Sequence, residues 1–286
     1  MPPVAQYLFN GIVTGGILAL PAVAFSLLWG LLRFPNFAVS TYLTVGAYVA
    51  LAVNHDLRWP IEVAWIAALA VTGTVAWAVD RIAFRPMRSR RPFALAIASI
   101  GVAFVLENLI RFVWGNDFRS YAIPVTRAMN WAGLRVGREQ LLILGVAVGL
   151  MLVARLFLVR TRLGIAMRAT ADQPVLAAVK GVPTERVIGL ATLGGGALAG
   201  GAGVFLGVDA SVDPLMGAGL IISVFAAAIL GGIGSAPGAL AGALIVGIME
   251  EAGTLLIPPT YKTAIGFAII LAVLLVKPTG LAGTQT

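Results

Sequence analysis

From Met1 to Leu32 the chain carries no charged side chain. A helix crosses a hydrocarbon core of about 30 Å with about 20 apolar residues, so this opening segment predicts a membrane-spanning helix. It is too long for the apolar core of a secretion signal and lacks the basic residues that precede one, so it is read as a first span kept in the protein. The same length rule divides the rest of the chain. Apolar runs fall near 4–32, 34–53, 60–79, 92–113, 140–159, 187–208, 215–233, 237–256 and 263–276. The expectation is an all-α polytopic integral membrane protein with about eight to ten membrane-embedded helices. Composition agrees: 59% of residues are hydrophobic and 11% charged, where a soluble domain carries roughly a quarter charged residues. The polar stretches are too short to hold a core of their own, which predicts a single transmembrane domain over residues 1–286.

The basic residues sit in short breaks between the runs, so the net charge of +8 reads as a topology signal rather than a nucleic-acid surface. Arg81, Arg85, Arg88, Arg90 and Arg91 cluster in one break, and Arg160, Arg162, Arg168, Lys180 and Arg186 in another. Both are predicted to be cytoplasmic. Parity then puts the N-terminus, Asp209 and Asp213 outside and Lys277 inside. The stretch from Gly115 to Glu139 argues back with Arg119, Arg127, Arg135 and Arg138, and the two denser clusters outweigh it.

Several chemistries are excluded early. There is no Cys and only one His, His55, which removes disulfides, thiolate nucleophiles, most metal sites and Ser-His-Asp catalysis. No phosphate-binding G-x-x-x-x-G-K-[ST] loop is present, so any ATP hydrolysis belongs to another chain. No cofactor is expected, and the chain is read as a transport component rather than an enzyme. Glu62, Glu107, Arg111, Arg155, Glu250 and Glu251 lie near expected helix ends, where long side chains reach interfacial water. With no acid at mid-membrane, energy for active transport is expected to come from a partner.

In hydrocarbon every backbone polar group needs a partner, so Gly and Pro breaks within apolar runs mark backbone that is buried in protein or lines a polar path. The first such break runs Leu32-Arg33-Phe34-Pro35-Asn36-Phe37-Ala38-Val39-Ser40-Thr41-Tyr42. The second runs Leu230-Gly231-Gly232-Ile233-Gly234-Ser235-Ala236-Pro237-Gly238. One lies in each outer third of the chain, which hints at two pseudo-symmetric halves; the alternative is a pair of ordinary turns. Asn36, Phe37, Ser40, Thr41 and Tyr42 are the candidate polar lining, with Gly231, Gly232 and Gly234 as the facing break. The Gly-rich run 194–203 is read as helix packing. Near 168–181, Asp172 is a candidate N-cap, Pro174 fits a first turn and Gly181 suits a left-handed C-terminus. The expected helix has about two turns, roughly 12 Å, with Val175, Leu176 and Val179 on its apolar side. So short a helix needs a surface to dock against.

Taken together these stretches resemble one family. They are Asn10-Gly11, Asn36-Phe37-Ala38, Leu43 to Val49, Arg168-Ala169-Thr170-Ala171-Asp172 through Gly181-Val182, Leu198-Ala199-Gly200 with Ala202-Gly203, Leu230 to Ser235 with Pro237-Gly238-Ala239, and Lys277 to Gly283. Their order and spacing resemble the LivH-type permease subunit of branched-chain (hydrophobic) amino-acid ABC importers over nearly the whole chain. The resemblance implies an inner (plasma) membrane protein working with a second, different permease subunit, two cytoplasmic ATP-binding subunits and an extracytoplasmic solute-binding protein. It also implies that a cytoplasmic segment at about 160–186 couples to the ATPases, through Arg168, Asp172, Pro174, Val175, Leu176, Val179 and Gly181. One departure bears on the solute: Val39-Ser40-Thr41 stands where the family usually has His-Gly and an acid. An autonomous secondary carrier or channel is the competing expectation, and an intramembrane enzyme a weaker one.

Overall fold

The computed structural model describes residues 3–123, 129–131, 134–277 and 279–282; Arg127, Pro278 and Gly283 of the motifs above lie outside them. Each apolar run contains a helix: α1 (Pro3–Leu32), α2 (Ala38–Leu51), α3 (Ile61–Val79), α4 (Pro92–Trp114), α5 (Arg138–Arg160), α8 (Thr184–Asp209), α9 (Met216–Gly231), α10 (Ala236–Gly253) and α11 (Lys262–Val276). Between α5 and α8 lie α6 (Arg162–Asp172) and α7 (Pro174–Val179). The chain is an all-α polytopic membrane protein, and among the described residues six helical segments are long and apolar enough to cross a bilayer: α1, α3 with its continuation to Met87, α4, α5, α8 and the stretch containing α11. A small antiparallel hairpin pairs β1 (Met129–Trp131) with β2 (Leu134–Val136), with Asn130 opposite Arg135.

Burial ranks the helices. The most apolar window of α1 is 83% buried and that of α8 72%, against 11% for α5 and for the α11 segment. The two buried helices are the axis of the molecule, and small residues let the others approach them closely. α1 meets α10 antiparallel, where a Cβ on Gly11 or Gly15 would press into the backbone of Ile248 or Leu244. α8 meets α3 in the same way, with Gly196 against Ala76 and Gly200 against Thr72. The glycine run 194–203 is thus a packing surface.

These two contacts are counterparts in a fold with two halves of opposite direction. Helix α1 ends at Leu32 and α8 begins at Thr184 at one end of the bundle, joined there by α6 and α7. After each axial helix the chain turns back through a short stretch, 33–37 or 210–215, into a short helix, α2 or α9. α2 and α9 touch: the Gly217 amide donates to Thr44 Oγ1 at 3.1 Å, and Gly217 abuts the Ser40 carbonyl. The structural counterpart of 33–37 is therefore 210–215, whereas the sequence had paired 32–42 with 230–238. The polar 210–215 stretch looks like an ordinary surface loop in sequence, because its return toward the bundle is a property of packing.

Candidate functional site

The break after α1 is shaped by Arg33, whose φ of 57° turns the chain out of the helix. The cost of that left-handed conformation is offset by two bonds. The Arg33 amide donates to the Trp29 carbonyl at 2.8 Å, and its guanidinium donates to the Ala171 carbonyl at 2.6 Å. Asn36 then starts α2, its Oδ1 accepting from the Ala38 amide at 3.1 Å. Ser99 of α4 accepts from the Phe37 amide at 3.0 Å and fixes the turn against a second helix. The Phe37 ring packs at a tilt of 52° against Phe225 of α9, with centroids 5.1 Å apart. Ser40 donates to the Phe37 carbonyl at 2.9 Å, and Ser40, Thr41 and Tyr42 are all buried. Two buried polar atoms here have no partner among the described residues, Asn36 Nδ2 and Tyr42 Oη. Tyr48 Oη and Thr72 Oγ1 are in the same position further along α2 and on α3. Buried polar atoms without a partner are rare, and each calls for an explanation.

The second break lies at the Arg33 end of the bundle. Gly232 and Gly234 take φ of 99° and 88°, which only glycine adopts without strain. The Gly234 amide donates to Ser26 Oγ of α1 at 2.9 Å, and Ser235 Oγ caps α10 by accepting from the Gly238 amide at 3.2 Å. The C-terminal segment closes over it, with the amides of Leu281 and Ala282 donating to the carbonyls of Leu230 and Gly231 at 2.8 and 3.0 Å. Gly231 packs directly on Gly238. Gly30 lies beside both Gly234 and Ala171, so both breaks and the 160–186 segment meet at one end.

In that segment Thr161 Oγ1 caps α6 by accepting from the Gly164 amide at 3.0 Å. Asp172 is the last residue of α6 rather than the N-cap of α7; Gln173 separates the two helices. The Asp-x-Pro spacing fits either assignment, and a helix over 162–172, which the sequence reading did not include, takes Asp172 as its last residue. Pro174 opens α7 and Gly181 ends it with φ of 84°, the Val182 amide donating to the Ala177 carbonyl at 3.0 Å. Only Ala177 of this helix is buried. Val175 and Val179 are each 77% exposed and Leu176 52%, an apolar face with nothing on it. Arg168 and Asp172 are also exposed.

Sequence reasoning missed two groups. Where α3 continues into Asp80–Phe84, buried Asp80 receives both Arg88 Nη2 bonds, at 2.7 and 2.6 Å. Arg88 also pairs with Glu185 at the start of α8, and Arg85 reaches Glu185 at 3.1 Å. At the far end Glu250 is 3% exposed and accepts from Ser223 at 2.6 Å. It does not reach interfacial water as expected of a helix-end acid, because α9 and α11 cover it. Beside it, Glu251 pairs with Lys262 at 2.5 Å and accepts from Thr14 at 3.0 Å. A Glu-Glu pair one turn from a helix end was the available signal.

A two-ended bundle of apolar helices with paired, broken halves is the architecture of a membrane permease. Residues 7–274 match the family model described as branched-chain amino acid transport system / permease component, and the chain belongs to that family. It is 32% identical to the high-affinity branched-chain amino acid transport system permease protein LivH of Escherichia coli (strain K12), over 97% of this chain and 95% of that protein. It is also 32% identical to the permease protein BraD of Pseudomonas aeruginosa, over 99% and 98% of the two chains. A probable LivH of Methanocaldococcus jannaschii is 30% identical, over 96% and 91%. Among solved structures, PsaBC from Streptococcus pneumoniae in complex with Fab shares the fold, with a TM-score of 0.52 at 14% identity and 96% and 92% coverage. The family is one of transport permeases rather than of enzymes.

Proposed function

We propose that this chain is the transmembrane permease subunit of an ATP-binding-cassette importer for branched-chain amino acids or related small organic solutes. It forms half of the path, beside a second and different permease subunit in the inner (plasma) membrane. An extracytoplasmic binding protein delivers solute, and two cytoplasmic ATPases dock at 160–186. The observation that carries the reading is the bare apolar face of α7. A helix of two turns does not hold itself together, and three exposed apolar side chains on it are a standing cost unless a partner covers them. They lie at the end of the bundle with the Arg-rich loops, which the charge rule makes cytoplasmic.

The path itself is assigned to the start of α2. Asn36, Phe37, Ser40, Thr41 and Tyr42 supply hydroxyls, an amide and an aromatic wall, and the orphaned Asn36 Nδ2 and Tyr42 Oη support that reading. Gly231, Gly232 and Gly234 act at the cytoplasmic mouth, where they let α9 and α10 close on each other. Val39-Ser40-Thr41 makes this tip less charged than in the related permeases the sequence resembles, which favours a solute that needs no acidic partner there. A second reading, an ion-coupled carrier, draws support from buried Glu250.

The test is Leu176→Asp. Each apolar residue of α7 contributes on the order of 1–3 kcal/mol when covered, and an unpaired carboxylate in that interface costs several kcal/mol. The expected result is loss of ATPase binding and of uptake with normal membrane insertion, while Lys180→Ala changes little. Intact ATPase binding and uptake in Leu176→Asp would show that α7 is a bare surface turn.

A further inference from the structure

A cavity of about 1170 Å³ opens at the end of the bundle opposite the Arg-rich loops, between α3 and α5 with α8 as its floor. None of the candidate path residues borders it. Its rim is charged and its depth is not. Arg58, Glu62, Arg138 and Glu139 stand at the helix starts, with Trp59 and Trp65 beside them. Below the rim the walls are apolar: Ile66 and Leu142 lie about one turn from the starts of α3 and α5, Val146 lies about two turns, roughly 12 Å, along α5, and Val204 of α8 faces them. Ile66 and Leu142 are 61% and 58% exposed, so the cleft opens sideways toward hydrocarbon as well as upward.

The rim is braced. Asn54 is buried, donates to the Trp59 carbonyl at 2.9 Å and accepts from the Ala122 amide at 2.8 Å. It ties two loops around the opening, in a π-helical turn (Ala52–Asp56) of the kind that recurs at functional sites. Arg58 is held at φ of 56°, a strained conformation for a non-glycine residue that persists only where its surroundings enforce it.

We propose that this cleft binds one glycerophospholipid of the outer leaflet. Its phosphate sits between Arg58 and Arg138, and an acyl chain lies along the α5–α8 wall. Guanidinium groups are the side chains best matched to phosphate, and tryptophans belong at the level of the glycerol backbone. Glu62 and Glu139 on the same rim disfavour further negative charge and select a zwitterionic headgroup. Size separates this ligand from a transported amino acid. A cavity above the usual range for small-molecule pockets, about 300–1000 Å³, leaves an amino acid loosely held.

The test is native mass spectrometry of the intact protein, solubilised from membranes, with phosphatidylethanolamine as the probe and dioleoylglycerol as the control lacking phosphate. One phosphatidylethanolamine is expected to survive conditions that strip surrounding lipid, while dioleoylglycerol does not. Arg58→Asn, which tolerates the left-handed backbone, and Arg138→Gln should each weaken retention about tenfold. Val146→Trp, which fills the cleft from an exposed position, should abolish it. All three side chains face outward, and unchanged thermal unfolding checks their folding. Equal retention of dioleoylglycerol, or variants that keep the lipid as the parent does, would mean surrounding lipid only and would overturn the proposal. So would displacement of the lipid by free leucine, which would make the cleft a solute site.

Discussion

Gly203 shows how much of the bundle rests on absent atoms. A Cβ there would run into the carbonyl of Leu43, so α8 and α2 lie against each other backbone to backbone. Gly203→Ala is predicted to cost about 1–3 kcal/mol through overpacking, read as a lower thermal unfolding midpoint in detergent. Gly219→Ala on α9, where nothing lies within 4 Å, should be neutral or stabilising by about 0.5–1 kcal/mol, because alanine restricts the unfolded chain and favours helix. Equal effects at the two positions would refute the contact. At this scale the sequence was uneven. The Gly run 194–203 suggested helix packing as the default reading, but its composition could not say which helices it meets. Glu250 was visible as a helix-end acid, but its burial was not, since that depends on α9 and α11 covering a residue far from them in the chain.

The element most exposed to a single change is the turn that joins α3 to α4. Asp80 and Arg88 are an ion pair with little water access, their side chains 4% and 17% exposed, whereas Glu185 is 48% exposed. Burial decides which half of the network matters. Arg88→Leu strands a buried carboxylate and is predicted to destabilise by about 3–5 kcal/mol. Glu185→Gln removes a half-solvated partner and should cost at most about 1 kcal/mol. A denaturation series on both variants checks the order, and a larger loss for Glu185→Gln would contradict it. Helix positions were legible because hydrophobic length fixes them. Their ends were less so: the α6–α7 junction at Asp172-Gln173-Pro174 turns on how far α6 propagates. The Asp80–Arg88 pair was hidden because Arg88 read as an ordinary member of a basic, interfacial cluster and Asp80 was not singled out at all.

On the scale of the whole molecule, the two inverted halves explain why 33–37 and 210–215 occupy matching places although their sequences do not match. The symmetry lies in helix lengths and directions, with the axial helices α1 and α8 each followed by a short, buried one. The orientation comes from charge instead, through the Arg-rich loops at the α7 end. With no natural Cys in the chain, Ser89→Cys and Ala178→Cys are predicted to resist an impermeant thiol reagent in intact cells and to react after lysis, while Ser120→Cys reacts in both. All three positions are exposed, and the opposite labelling pattern would invert the topology. The central claim is that ATP hydrolysed by partner subunits moves the solute through this chain. It is tested most directly by purifying the complex from native membranes, reconstituting it in proteoliposomes and measuring uptake of labelled leucine, with a panel of short amides and aromatic acids as further solutes. Uptake should require ATP on the face bearing α7 and the binding protein on the other, and should persist when proton and sodium gradients are collapsed. Uptake driven by either gradient without nucleotide would contradict the account and turn attention to Glu250.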